Sequence, residues 1–262
     1  MKTPLISIIT VSYNAATTIE QTILSVINQT YPNIEYIIID GGSTDGTIDI
    51  IKKYVDKISY WISEPDKGIY DAMNKGIKIA SGEWINFMNC GDSFYSNTVI
   101  KEVFSKANLN SDIIYGNTNL LYFVGNYIKF GDKVTDKNYM PFCHQSSFAR
   151  TMLMKEYNFD IQYKICSDKN FFHLMYKANK TFEYVNITIS NFDANYGISS
   201  TNYNQLLNEI GLIEGKNNEW EWKLYKKYFS IQCLIKNFIK KIVPSSIVKK
   251  IQKNNIEKFI SK

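Results

Sequence analysis

Trp84-Ile-Asn-Phe-Met-Asn-Cys-Gly-Asp-Ser-Phe94 decides the fold. An apolar run from Trp84 to Met88 stops at Asn89-Cys-Gly-Asp92, the pattern of a buried strand that delivers polar groups at its C-terminal end. In open α/β sheets this edge is where ligands bind. Gly91 lets backbone approach a ligand closely, and Asp92 presents one carboxylate. One carboxylate together with a ligand's phosphates is a common way to hold Mg²⁺ or Mn²⁺, because hard cations take oxygen ligands and share them with substrate. Alone, the stretch reads as well as a strand-ending Gly-Asp turn without chemistry. The flanking sequence decides between the two.

Upstream, Pro4 to Asn14 and Ile34 to Asp40 are β-branched apolar runs ending in polar residues, and Ile58 to Ile62 is a third run of this kind. Between them lie helical patterns: Ile19, Ile23, Val26 and Ile27 on one buried side, a helix after the small-residue turn Gly41–Thr47, and another from Gly68 to Ile79. Downstream, Thr98 to Ala107 is helical and Asp112 to Tyr115 a strand. Strands alternating with helices at this spacing predict βαβ units and a mostly parallel sheet. The chain has neither GxGxxG nor GKS/T, so dinucleotide oxidoreductase and P-loop readings lose their motif support. After residue 118 the pattern predicts a hairpin over Leu121–Phe130 with a Gly125-Asn126 turn. A strand over Phe142–Phe148, a helix from Ser167 to about Ala178, a strand over Thr181–Ile189 and a helix over Asn202–Ile213 follow.

Composition bounds the function. The 262 residues are 45% apolar and 15% aromatic, enough to fill a sizeable core. The four cysteines form no CxxC pair, which disfavours zinc and thioredoxin-like chemistry. With no signal-peptide pattern, they are expected as free thiols in a reducing cytoplasm. No apolar run reaches the roughly 18 residues of a membrane span. From Glu221 to Lys262 there are eleven Lys against two Glu, a balance of +9, while the whole chain carries +5. Residues 216–262 therefore read as a basic, aromatic, amphipathic tail suited to an anionic membrane surface, with Pro244 dividing it and a second segment running to Ile260. A single arginine, Arg150, against 29 lysines argues against a nucleic-acid partner, since guanine reading favours Arg.

Taken together, the blocks Ser7–Asn14, Ser25–Gln29, Ile39–Thr47, Asp66–Gly76, Ala80–Glu83 and Asn89–Asp92 resemble glycosyltransferase family 2, the inverting enzymes with a GT-A fold, over about residues 4–200. The resemblance implies a GT-A domain over 1–215, with 1–117 binding the nucleotide-sugar and 118–215 forming the acceptor and catalytic half. It also implies transfer of a sugar from a nucleotide-sugar donor, UDP favoured, to a hydroxyl of a saccharide acceptor. Such acceptors are lipid-linked in bacterial surface-polysaccharide assembly, O-antigen and capsule included, which would place the protein at the cytoplasmic face of the inner membrane. A non-catalytic nucleotide-sugar scaffold of the same fold is the alternative.

The family's site residues carry over position by position. Val11, Tyr13 and Asp40 match the nucleoside-holding strand ends, though Gly41 stands where many relatives have a second acid. Asp71 and Asn74 match ribose or sugar-hydroxyl ligands. Asn89 and Asp92 match the DXD-like motif, with Asp92 as metal or diphosphate ligand for Mg²⁺ or Mn²⁺; Asn89 and Gly91 stand where acids are common, so metal affinity is expected to be weakened. Inverting transfer needs a general base near the acceptor hydroxyl. Asp168, at the start of a helix in the second half, matches it, and Asp160 and Asp193 are rivals read as structural. His144, ahead of Gln145-Ser-Ser-Phe148, resembles a segment lining the acceptor cleft. His173 reads as structural, and Asn195–Ser199 resembles a glycine-containing loop beside the diphosphate.

Overall fold

The computed structural model describes residues 3–195 and 202–242, the last ten by backbone alone. The loop 196–199 and the tail beyond Pro244 therefore lie outside the described residues. The chain forms two compact units, Met1–Asn119 with Ile128–Phe192, and Leu120–Tyr127 with Asp193–Lys262.

Along the chain, strands β1 (Ile6–Ser12), β2 (Ile34–Asp40) and β3 (Tyr60–Ser63) alternate with helices α1 (Ile19–Ile27), α2 (Thr47–Lys52) and α3 (Ile69–Ile79). β4 (Trp84–Phe87), β5 (Ser93–Phe94), α4 (Val99–Lys106) and β6 (Ile113–Tyr122) follow. Next come β7 (Gly125–Lys129), a 3-10 turn (His144–Ser146), β8 (Ser147–Arg150), α5 (Thr151–Tyr157), α6 (Ser167–Lys177) and β9 (Phe182–Asp193). The sheet order is β3-β2-β1-β4-β8-β6-β9-β5, with β7 pairing β6. β3, β2, β1 and β4 are mutually parallel, as helical crossovers require. β8 runs antiparallel to both β4 and β6.

The period-2 rule splits the core in two. Ile8, Tyr36 and Ile38 join Ile19, Ile23 and Val26 of α1 on one face of the sheet. Ile9, Ile37 and Ile39 join Met73 and Ile77 of α3 on the other. Helix α3 lies so close that a Cβ on Gly76 would sit 2.6 Å from Ile9 Cγ2.

Two local expectations change. The hairpin turns at Phe123-Val124, so Gly125 and Asn126 already belong to β7. Phe142–Phe148 is not one strand. Residues 144–146 coil into the 3-10 turn, closed by Ser146 N–H donating to Cys143 O at 2.9 Å, and β8 begins only at Ser147. Hydrogen-bonding side chains hold this turn, and their partners lie too far along the chain for periodicity to reveal them. In the second unit, α7 (Tyr203–Ile213) and α8 (Trp220–Ile242) pack through Tyr203 and Phe229, ring centroids 5.6 Å apart. No helix among the described residues is long and apolar enough to cross a membrane.

Gly76→Val should lower the urea unfolding free energy by about 1–3 kcal/mol, the usual range for overpacking a tight core. A midpoint equal to that of the unmodified protein would show that α3 can retreat from β1.

Candidate active site

Parallel strands β1, β2 and β4 end side by side, and their loops carry most of the expected residues. Val11 is core: only its carbonyl faces the neighbouring loop, accepting Cys90 N–H at 3.2 Å. Tyr13, two residues on, is 66% exposed and presents a free ring face. Asn14, with φ +47°, ties this loop to the next: its N–H donates to Ser43 Oγ at 2.7 Å, and Thr44 N–H donates to its Oδ1 at 3.0 Å.

Asp40 does not offer its carboxylate to a ligand. It is 0% exposed, and five donors converge on it. Oδ1 accepts from Ser12 Oγ (2.9 Å) and Ser43 Oγ (2.6 Å); Oδ2 accepts from Gly42 N–H (3.1 Å), Ser43 N–H (2.8 Å) and Ser63 Oγ (2.6 Å). Burial alone would raise its pKa, but the hydrogen bonds from Ser43, Ser63 and Ser12 outweigh it and hold the carboxyl below the usual range. Its role in this geometry is to lock the loop after β2. Its place beside Tyr13 is taken by Asp66, which the sequence reading did not single out. A Cβ on Gly41 would strike the Asp66 carboxylate and the Tyr13 ring, so glycine is what allows these two side chains to meet over the backbone. The signal was the missing acid at 41, whose physical meaning is this close approach.

Asn74 is likewise committed to the protein. Its Nδ2 donates to Phe159 O at 2.7 Å and its Oδ1 accepts Phe159 N–H at 2.8 Å, fastening α3 to the segment before α6. Asp71 accepts Lys67 N–H at 3.0 Å and, with Asn74, lines an outer recess of about 500 Å³.

The end of β4 is built differently. Gly91 takes φ +97°, which turns the chain so that Asp92 follows. Thr22 Oγ1 accepts Gly91 N–H at 3.1 Å and donates to Asp92 O at 2.7 Å, so α1 holds the turn. Gln145 Nε2 donates to Asp92 Oδ2 at 2.7 Å. Asn89 Nδ2 reaches His144 Nε2 at 3.1 Å, and its buried Oδ1 has no protein partner. Among the described residues, no group of three or more His, Cys, Asp or Glu side chains could cage a metal. The donor set here, one carboxylate and a buried unpaired amide oxygen, suits a hard cation that arrives with phosphate oxygens and water. Burial pushes the Cys90 thiol up to about 11, so it is a neutral neighbour.

Asp168 opens α6 and stands in the same constellation. Its side chain is 15% exposed and that of His144 18%. Oδ1 accepts from Tyr70 Oη (3.0 Å) and Lys169 N–H (2.8 Å); Oδ2 lies 2.9 Å from His144 Nδ1. Burial would raise the carboxyl's pKa, but the hydrogen bond from His144, with those from Lys169 N–H and Tyr70, holds it below the usual range. The Tyr70 hydroxyl is pushed well up by its own burial and by Asp168. Asp160 is spent on Gln162 N–H at 3.0 Å, and His173 stacks edge-on to Tyr139.

The glycosyl transferase family 2 model matches residues 7–175, well over half of the chain. The chain belongs to that family. It is 28% identical over 214 residues to the PGL/p-HBAD biosynthesis glycosyltransferase of Mycobacterium bovis, covering 77% of this chain and 81% of that one. It is 33% identical over 159 residues to an uncharacterized glycosyltransferase of Haemophilus influenzae, covering 60% and 64%. The fold matches S. aureus TarS 1-349 in complex with UDP-GlcNAc at TM-score 0.65 and 20% identity, over 80% of this chain and 66% of that one. It matches the mannosyltransferase PcManGT from Pyrobaculum calidifontis, in complex with GDP-Man and Mn²⁺, at 0.61 and 13%, over 80% and 63%. The chain spans 65% of TarS 1-349 with UDP and 39% of the longer TarS chain it also matches. The protein is therefore a family 2 glycosyltransferase of GT-A fold.

Asp40→Asn should cost about 2–4 kcal/mol of stability at pH 7, because at least one donor then faces an amide N–H. The native carboxyl's pKa is lowered, so its stabilising effect is full above the ordinary value near 3.9 and lost as pH falls through the lower native one. Denaturant curves at successive pH values should show the two proteins converging there; a gap unchanged down to acid unfolding would rule the cage out as its source.

Proposed function

We propose that this family 2 enzyme moves a sugar, with inversion, from a UDP-sugar to a hydroxyl of a lipid-linked saccharide acceptor in surface-polysaccharide assembly. The observation that carries the reading is a half-buried Asp168, its carboxyl held below the usual range, joined through His144 to the strand end that bears Asp92. The two carboxylates have different tasks. Asp168 accepts the acceptor's hydroxyl proton as that oxygen bonds to the anomeric carbon. The bond from that carbon to the diphosphate breaks, and its electron pair leaves with the nucleotide. The carbon passes through an oxocarbenium-like state, as in glycoside hydrolysis. Asp92, with Asn89 Oδ1, would hold a Mg²⁺ or Mn²⁺ ion, which supplies charge neutralisation for the departing diphosphate. Tyr13 offers a stacking face for the base, and Asp66 beside it offers an acceptor for a base N–H. Asp71 faces the recess outside this cluster and is assigned an outer contact with the sugar.

Helix α8 supports a membrane-surface role. Trp220, Leu224, Tyr228 and Ile231 are exposed at helical spacing, among Lys223, Lys226 and Lys227. That is an apolar stripe beside positive charge, the pattern of an interfacial helix.

Release of free nucleotide from UDP-, GDP- and dTDP-sugars should single out a UDP-sugar, with Mn²⁺ or Mg²⁺ raising the rate. Asp168→Asn should lose at least about a hundredfold in turnover, and Asp92→Ala should lose donor cleavage. Near-normal turnover in Asp168→Asn would remove it as base, and binding without any cleavage would favour a scaffold. Vesicles containing anionic lipid should sediment the full chain but not the triple variant Trp220→Asp, Leu224→Asp, Tyr228→Asp; equal binding by both would refute the surface role.

A further inference from the structure

We infer that the turn His144-Gln145-Ser146-Ser147 is the positioning element for both reaction carboxylates, His144 setting Asp168 and Gln145 setting Asp92. The inference rests on the roles proposed above for those two acids. It starts from register. β4 and β8 pair Trp84 with Arg150 and Ile85 with Ala149. Continuing that antiparallel register brings Asn89 level with Gln145, so the turn that opens β8 stands opposite the turn that ends β4.

Every residue of the turn is tied down. Asn86 of β4, fully buried, donates through Nδ2 to Gln145 O at 2.9 Å and Ser147 O at 2.8 Å. Ser147 Oγ donates to His144 O at 2.8 Å. Ser146 Oγ donates to Asn117 O at 2.9 Å, accepts from Thr118 Oγ1 at 2.8 Å and meets Ser190 Oγ at 2.7 Å. With its backbone fixed, the turn projects two side chains in different directions. Gln145, 3% exposed, reaches Asp92. His144 reaches Asp168.

The His144 ring is oriented from both ends. An amide nitrogen only donates, so Asn89 Nδ2 makes Nε2 the acceptor and leaves the ring proton on Nδ1, where it is donated to Asp168 Oδ2. A fold built for stability alone gains little here. Asn86 Oδ1 and Asn89 Oδ1 are both buried without partners, and such groups cost stability. What the cost secures is a fixed geometry of two acids on one rigid support, and small misplacements of catalytic groups are expensive in rate.

The test separates the two arms in the full-length protein. Titration with UDP and Mn²⁺ should show Gln145→Ala binding roughly ten- to a hundredfold more weakly, the usual effect of losing a partner of a metal-binding group. His144→Ala should change UDP affinity and donor KM far less than Gln145→Ala does and lower kcat by about tenfold or more, and His144→Gln, which keeps a donor toward Asp168, should recover part of that loss. Nitrogen-15 NMR should find the His144 proton on Nδ1 in the unmodified protein, the signal shifting in Asp168→Asn but not in Gln145→Ala. UDP affinity of Gln145→Ala within twofold of the unmodified protein, an effect of His144→Ala on KM alone, or a proton on Nε2 would each overturn the inference. If the unmodified protein cleaves no donor, the base assignment fails, while the binding and NMR arms still decide whether the turn holds the two acids.

Discussion

The antiparallel pairing of β8 against β4 is the constraint on which the site depends. β1, β2 and β4 alone would give a parallel edge whose loops carry Asp92 but not Asp168. Insertion of β8 between β4 and β6 brings residues from the second half of the chain to the same edge. Asn86 sits at the seam. Its side chain occupies a position where strand neighbours Ile85 and Phe87 are apolar, and it spends both amide hydrogens on the opposing chain. The strand therefore carries an unusual polar residue for a geometric reason, and the site inherits its spacing from a backbone ladder.

Charge is managed by the same economy. Asp40 is buried and Asp168 half-buried, and both are kept ionised by converging donors, yet they differ in what remains available. Asp40 has five donors and no exposure, which makes it a structural anion within the loop after β2. Asp168 has three donors and some exposure, which leaves room for a further donor. Residue type does not distinguish these two cases; the number of donors does.

This difference marks how far the sequence could be read. The parallel half was legible because β1, β2 and β4 are continuous apolar runs closed by polar residues, and because apolar spacing in α1 and α3 follows the helical period. The family blocks placed Asp92 and Asp168, and the structure brings both into one cluster through Gln145 and His144. What escaped was whatever depends on distant partners. The 3-10 turn at 144–146 reads as strand because its hydrogen bonds go to residues 86, 117, 118 and 190. Asn74 looks like an exposed helix polar residue until Phe159 arrives from 85 positions away. Asp66 gained meaning only once Gly41 had shown how near the two loops come.

The left-handed backbone at Gly91 has an evolutionary consequence. A fuller acidic motif would put a carboxylate at 91, but at φ +97° any side chain there meets a penalty of roughly 1–2 kcal/mol before its charge can help. The turn would have to be reshaped first, and Thr22, which holds both Gly91 and Asp92, would have to let go. A single substitution to an acidic residue at 91 is thereby disfavoured by the backbone before any gain from its charge. Adjustment of the site is left to residues such as Asn89 and Gln145, whose side chains can change without moving the chain.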